Sequence, residues 1–317
     1  MKSLIVGATG FVGANLVRYL NGEGVLPRIF RRRSSNARNI SRCKYEDFIG
    51  ELSSENDIIK AVSGCDIIYY LASCTSLHPK NKELRWHTNV SALQFFTKIL
   101  LENNVRSKLV YCSSVGAIGS TANPVILTEK DCLEISEFDY FQTKRAAEGV
   151  ILEAVERGLN AVIVRPATMI GPCGDRFMAN AVILSDKSWK LLFYTSGGTS
   201  ITFVDDVCRG MKLAAERGLR GEAYILSGHN VTFREYYEAI AHELGCMYPK
   251  IHLPNFCLMS LGKMGAFFLS NLFCLESVML AGRFTYFSSE KAQRILGYKI
   301  SPLSQMIKLT HASRQVD

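Results

Sequence analysis

An apolar run, Leu4-Ile5-Val6, leads directly into three glycines spaced Gly7-x-x-Gly10-x-x-Gly13. A run this short, closed by glycine, has the pattern of a strand buried on both faces. Beyond Gly13 the period changes, and Leu16, Val17 and Leu20 recur at helical spacing. The glycines therefore sit where a strand turns into a helix. The first turn of a helix carries unpaired N–H groups and the positive end of the macrodipole, which together favour a phosphate. Glycines let the backbone turn tightly and approach a pyrophosphate with no side chain between. Gly7, Thr9, Gly10, Phe11, Val12 and Gly13 are thus candidate dinucleotide contacts. An ordinary glycine-rich turn could share the spacing, but the strand before it and the helix after it favour the nucleotide site.

The second strand, expected over Pro27 to Phe30, ends at Arg31-Arg32-Arg33. In a dinucleotide fold an acid at this strand end accepts hydrogen bonds from the adenosine ribose. Arginine cannot accept them, but its planar fork matches a 2′-phosphate. Arg31 and Arg32 therefore point to NADP(H) as the favoured cofactor, with NAD(H) as the alternative. Glu51 and Leu52 follow the next apolar stretch, and a helix over Ile58 to Val62 comes after them. Asp66 to Ala72 reads as another buried strand, so Leu71, Ala72 and Ser73 would border the cofactor at its carboxyl end. Asn89 falls in a helical segment, Leu84 to Leu101. Leu109 to Cys112 is a strand ending at Ser113-Ser114, and Ala161 to Val164 is another, ending at Arg165-Pro166. Strands and helices alternate throughout, which predicts an α/β fold with a doubly wound parallel sheet.

Tyr140 and Lys144 are four apart at the start of a helical segment and so share one face. A tyrosine near its ordinary pKa of ~10 is a poor acid or base at neutral pH. A cation one turn away favours the phenolate and lowers that value. Tyr140 can then exchange a proton with a carbonyl or alcohol oxygen, and Ser114 can offer a hydroxyl to the same oxygen. Asp205-Asp206 precedes a helical run, Val207 to Ala215, and reads as a helix cap.

The 317 residues, 48% hydrophobic and 21% charged, suit one large or two smaller globular units. The chain enters its first strand at once, so no secretory leader and a cytoplasmic location are expected. The ten cysteines are scattered, with no C-x-x-C pair, so reduced thiols and no metal site are expected. The net charge of +8 is dispersed outside Arg31-Arg32-Arg33, which suits an anionic ligand better than nucleic acid. Leu253 to Phe287 is unusually apolar, but Lys263, Asn271 and Glu276 interrupt any spanning run. Met264, Phe267, Phe268, Leu272 and Leu275 fall on one helical face. That face could be a core-facing helix, the lining of an apolar substrate pocket, or a membrane-surface contact, the last not expected.

With these pieces in order, the chain resembles the extended short-chain dehydrogenase/reductase superfamily of NAD-dependent epimerase/dehydratase type. The resemblance rests on Gly7-Ala8-Thr9-Gly10-Phe11-Val12-Gly13, Tyr70-Leu71-Ala72, Asn89, Ser113-Ser114, Tyr140-x-x-x-Lys144, Arg165-Pro166 and Gly171-Pro172. It extends to Phe203-Val204-Asp205-Asp206-Val207 and Ser289-Glu290-Lys291-Ala292-x-x-x-Leu296-Gly297-Tyr298. It implies a Rossmann domain over 1–167, with 199–228 returning to it, and a smaller substrate-binding lobe from 168–198 and 229–317. It implies that Ser114 binds the reacting oxygen, Tyr140 is the acid/base, and Lys144 also holds the nicotinamide ribose. Pro166 would border the cofactor.

The nucleotide-sugar epimerases of the superfamily carry Asn where this chain has Thr168, and its 4,6-dehydratases carry an acidic pair where this chain has Val115-Gly116. The stretch Ser113 to Gly119, the Arg31 cluster and the apolar tail look more like the dihydroflavonol reductase and 3β-hydroxysteroid dehydrogenase branch. The function expected is therefore an NADP(H)-dependent oxidoreductase acting on a ketone or secondary alcohol of a small, mostly apolar substrate. A nucleotide-sugar epimerase or dehydratase with internally recycled cofactor, and a non-catalytic dinucleotide sensor, stand as alternatives. Expected partners are the small-molecule substrate and a second copy in a homodimer, not nucleic acid.

Overall fold

In the computed structural model, which describes residues 1–172, 193–258 and 275–313, the opening apolar run is strand β1 (Ser3–Val6), buried along its whole length. It pairs in parallel with β2 (Arg28–Arg31) on one side and β4 (Ile67–Tyr70) on the other. The β2 side continues to β3 (Glu46–Ile49). The β4 side continues through β5 (Lys108–Cys112) and β7 (Ala161–Pro166) to β11 (Ala223–Leu226), all parallel. The result is a seven-stranded, doubly wound sheet. Strand order reverses between β1 and β4, which opens a crevice at their carboxyl ends.

Both faces of this sheet are covered, which is why its strands read as unbroken apolar runs. On one face Ile5, Tyr69, Val110 and Val162 pack with Leu16, Val17 and Leu20 of helix α1 (Phe11–Gly22) and with Val207 and Met211 of the helix Val204–Arg217. On the other face Leu4, Ile68, Leu109 and Ile163 meet Ile58 of α2 (Glu55–Val62), Phe96 of α4 (Ala92–Glu102) and Ile151 of α5 (Asp139–Glu156). The helical segment around Asn89 is unbroken from Lys82 to Glu102, but its winding changes on the way. A short helix α3 (Lys82–Trp86) passes into a π-helical turn over His87–Ser91 before α4 begins.

A second, smaller sheet holds β6 (Ile126–Leu127), β8 (Thr168–Ile170), β10 (Gly198–Phe203), β12 (His229–Thr232) and β14 (Phe284–Phe287). Strands β9 (Phe193–Thr195) and β13 (Ile251–Leu253) pair with each other. The 199–228 segment thus divides between sheets: β10 lies in the small one, and β11 closes the large one. Helices Phe233–Leu244 and Leu303–Ala312 cover the small sheet through Tyr236, Tyr237, Ile240, Met306 and Ile307. Of the late apolar face, Met264, Phe267, Phe268 and Leu272 lie outside the described residues, and Leu275 opens the helix Leu275–Ala281. No helix among the described residues is long and apolar enough to cross a membrane.

The reading of Asp205-Asp206 as a cap is corrected. The helix begins at Val204, its N-cap is Phe203, and both aspartates sit inside its first turn. Asp206 is buried and accepts from Ser301 N–H at 2.7 Å, Ser301 Oγ at 2.8 Å and Arg209 Nη2 at 2.6 Å. It therefore ties the last helix-bearing segment to the main sheet. Removing it leaves the half-buried Ser301 N–H without its acceptor and the Arg209 guanidinium with only the Lys299 carbonyl. Asp206→Ala should cost about 2–3 kcal/mol of stability, read as a shift in the urea midpoint at unchanged m-value.

Candidate functional site

The strand-to-helix turn at the end of β1 has the sterics of a phosphate cradle. Gly7 has φ +90°, and a Cβ there would lie 2.7 Å from the Ala72 nitrogen. A Cβ on Gly13 would lie 2.2 Å from the Gly7 carbonyl oxygen. These two glycines are demanded by the chain itself. Gly10 is different: it is exposed, and a Cβ there would meet nothing closer than the Gly7 oxygen at 3.5 Å. The missing side chain at Gly10 leaves open space beside the N-terminus of α1, where Gly10 is the N-cap and no side chain caps the turn. The first-turn N–H groups, from Phe11 on, are available to an anion there. Phe11 and Val12 pack their side chains back against the core, and Thr9 is half-buried. The residues present fit a dinucleotide pyrophosphate.

The loop after β4 forms the other wall. Leu71 N–H donates to the Val6 carbonyl at 2.8 Å, and Leu71, Ala72 and Ser73 are half-buried. Asn89, 2% exposed, fixes this loop. Its Oδ1 accepts from Ser73 Oγ at 3.0 Å and Cys74 N–H at 2.7 Å, and its Nδ2 donates to Cys74 O and Thr143 Oγ1, both at 3.0 Å. Asn89 therefore joins the loop after β4 to α5, one residue before Lys144. Its inward position depends on the π turn, a device that recurs at functional sites.

At the outer end of the sheet, the Arg31 guanidinium makes a two-pronged ion pair with Asp47, Nε to Oδ1 at 2.8 Å and Nη2 to Oδ2 at 2.5 Å. That hydrogen bonding raises the Arg31 pKa further. Arg32 beside it is exposed. Glu51 is exposed just past β3, with its N–H donating to Asp57 Oδ2, and Leu52 packs on the core. Pro166 is buried at the carboxyl end of β7.

Ser113 and Ser114 stand at the carboxyl end of β5, and Lys144 of α5 reaches the same strand end. Ser113 is buried, with its Oγ unpartnered, whereas Ser114 is half-buried. Ser114 Oγ accepts from Gly116 N–H at 3.1 Å, which leaves its own proton to donate. Tyr140 and Lys144 occupy the first two turns of α5. Tyr140 is half-buried against Phe138 and Phe141, and Lys144 is 3% exposed. Lys144 Nζ donates to the Cys112 carbonyl at 3.1 Å and lies 5.5 Å from the centre of the Tyr111 ring. No carboxylate forms an ion pair with it among the described residues, and burial pulls its pKa down. Burial pushes the Tyr111 phenol well above its ordinary range, so Tyr111 remains a neutral platform.

The start of α5 is anchored by partners that no spacing in the sequence reveals. Asp139 accepts from Arg85 Nε at 2.7 Å, Arg85 Nη2 at 2.6 Å and Trp86 Nε1 at 3.0 Å. Arg85 is 1% exposed and also donates to the Ser76 carbonyl. Hydrogen bonds from Trp86 and Arg85 hold the Asp139 carboxyl below its ordinary pKa, against the opposing effect of burial. The adjacency of Asp139 to Tyr140 is the one signal of this cluster in the sequence.

The chain is similar to known proteins. The profile of the NAD dependent epimerase/dehydratase family matches residues 3–227. The sterol demethylase protein B of Methylococcus capsulatus is 31% identical over 80% of this chain and 78% of its own length. A 4-hydroxy-2-methyl-3-oxo-4-farnesyl-3,4-dihydroquinoline-1-oxide ketoreductase of Stigmatella aurantiaca is 26% identical over 94% of this chain and 92% of its own. Among solved structures, that of gox2253 superimposes with a TM-score of 0.86 at 28% identity, covering 99% of this chain and 98% of that one.

The glycines separate folding from binding. Gly13→Ala should both lower Tm and abolish dinucleotide binding, because the methyl meets backbone. Gly10→Ala should leave Tm near wild type and weaken binding by about tenfold or more. Fluorescence titration of NADPH and NADH beside thermal unfolding distinguishes the two.

Proposed function

The chain belongs to the NAD dependent epimerase/dehydratase family, an enzyme family that uses pyridine nucleotides, and on that premise we propose that it is an NADP(H)-dependent oxidoreductase acting on a ketone or secondary alcohol of a mostly apolar molecule. The observation that carries this reading is the buried Lys144 ammonium. It has a carbonyl and a ring for partners, and it lies one helical turn from Tyr140 on the helix that faces the Ser114 strand end. The apolar substrate class is supported by relatives whose names specify a sterol or a farnesylated quinoline oxide. Thr168 and Val115-Gly116 count against a sugar nucleotide.

A nicotinamide held in this crevice would supply or accept the hydride. Ser114 and Tyr140 donate hydrogen bonds to the substrate oxygen, where negative charge grows during reduction. Tyr140 then gives its phenolic proton to that oxygen, or takes it back in the oxidative direction. Lys144 favours the phenolate left behind, and its ammonium would also donate to a ribose hydroxyl of the cofactor. For the 2′-phosphate, Arg32 is the principal cation, because the Nε and Nη2 prongs of Arg31 are taken by Asp47 and leave it a lesser part.

Tyr140→Phe should retain NADPH affinity and lose turnover by ~10²–10⁴-fold. Turnover is read as NADPH absorbance across a panel of apolar ketones. Near-normal turnover would remove Tyr140 from the mechanism. Tightly held cofactor with no net consumption would favour an epimerase.

Arg32→Ala should weaken NADPH binding by about tenfold or more and leave NADH binding unchanged. Equal loss for both cofactors would overturn the 2′-phosphate role.

Lys144→Met gives a pH-dependent result. The folded-state pKa of Lys144 lies below the unfolded one, so the unfolded chain binds its proton more tightly. The resulting stability penalty is full below the folded pKa and fades as pH rises toward the unfolded value. The variant should therefore unfold no earlier than wild type at pH 7, with any advantage shrinking at alkaline pH, while turnover is lost. Thermal unfolding across pH beside steady-state rates checks both halves.

A further inference from the structure

The first turn of α5 carries Tyr140, yet its own N-cap, Phe138, offers no side-chain acceptor. The acceptor comes from far along the chain. Asp139 N–H donates to Glu276 Oε1 at 3.2 Å, and the Tyr140 N–H faces the same carboxyl. Glu276 stands on the helix Leu275–Ala281, whose Met279 and Leu280 pack on Ile135, Phe138, Tyr140 and Phe141. Just beyond, Arg283 donates Nε to Ser120 Oγ and Nη2 to Ser120 O, and its guanidinium lies over the Phe138 ring. The late segment thus grips the start of α5 through one carboxyl and an apolar seat.

That carboxyl is costly to keep. Its Oε2 is buried with no partner. Burial pushes its pKa up, with the Asp139 carboxylate adding to that and the Asp139 N–H and Arg85 opposing it. The charged groups around it are Arg85, Asp139 and Lys82 from the first domain, with Glu137 and Arg283 beyond the Phe138 ring. An apolar side chain would fill this seat at less cost to stability, and groups held against their own burial mark functional positions.

We propose that Glu276 is a positioning residue whose carboxyl caps the first turn of α5 and holds Tyr140 in place against the Ser114 strand end. The proposal rests on the Ser114, Tyr140 and Lys144 reading above. It makes the helix Leu275–Ala281, inside the late apolar stretch, part of what sets the acid.

Glu276→Gln keeps an acceptor oxygen, and Glu276→Met keeps the volume without one. Hydrogen exchange of the amides over 137–144, followed by mass spectrometry, reads the cap without any substrate. Turnover of NADPH with the ketone panel, with Tyr140→Phe in parallel, reads its effect on chemistry. Exchange should quicken over 137–144 in the Met variant and stay close to wild type in the Gln variant. The Met variant should lose kcat by about tenfold or more, with NADPH affinity unchanged and the Gln variant within about threefold of wild type.

Unchanged exchange in the Met variant overturns the proposal, as does equal quickening in both variants, which would mean packing alone. A Met variant with quickened exchange and kcat within twofold of wild type also overturns it. If Tyr140→Phe itself keeps its turnover, the acid/base reading fails, and the positioning role fails with it whatever the exchange data show about the cap.

Discussion

The fold depends on a contact between backbones. Gly13 sits so close to the Gly7 carbonyl, and Gly7 so close to the loop after β4, that a single methyl at either place would collide with main chain. Only with both side chains absent can α1 begin where β1 ends. That placement aims the uncapped first turn of α1 into the crevice where the strand order reverses. The open side at Gly10 leaves the crevice accessible. Sequence, turn geometry and ligand preference are therefore one constraint seen at three scales.

A buried polar network sets the other wall. Asn89 uses both of its amide groups, tying the Ser73–Cys74 loop to Thr143. Lys144, the next residue, reaches back to the carbonyl at the end of β5. One side chain thus fixes the loop after β4, the candidate cofactor wall, relative to the helix that carries the candidate chemistry. Such a network is stable only when every member is satisfied, and the π turn is what brings Asn89 inward to satisfy it.

What was legible in the sequence was local. The apolar runs ending in glycine or serine, and Tyr140 one turn from Lys144, are patterns of short range, and they gave the sheet, the cradle and the shared helix face. The long-range pairings were not legible. Arg85 finds Asp139 across 54 residues and Glu276 finds it across 137, with no spacing that predicts either. Arg31 reads as a bare cation, yet its fork is held by Asp47, because the register of β2 against β3 brings the two together. Asp206 looks like a cap because aspartate favours caps. The chain uses it three residues past the N-cap, where burial lets it hold Ser301. A propensity reports what a residue does in isolation, and here a tertiary partner outweighs it.

Helix α5 shows how structural and functional charge can be told apart on one element. Glu148 and Lys144 are both buried and lie one turn apart. Glu148 takes a two-pronged ion pair from Arg165, Nε at 3.0 Å and Nη2 at 2.7 Å, so its charge is matched and it joins helix to sheet. Lys144 has no such match and relies on one carbonyl and the face of Tyr111. A buried cation so weakly compensated is a net cost to folding, since its desolvation exceeds what a carbonyl and a ring return. The same helix could have placed Lys144 within reach of a carboxylate, as it did for Glu148 with a cation. It leaves Lys144 one turn from Tyr140, with the Glu148 carboxylate acting on it only from a distance. The asymmetry between two neighbouring charges, more than the presence of either, is what singles out Lys144 as the candidate for chemistry.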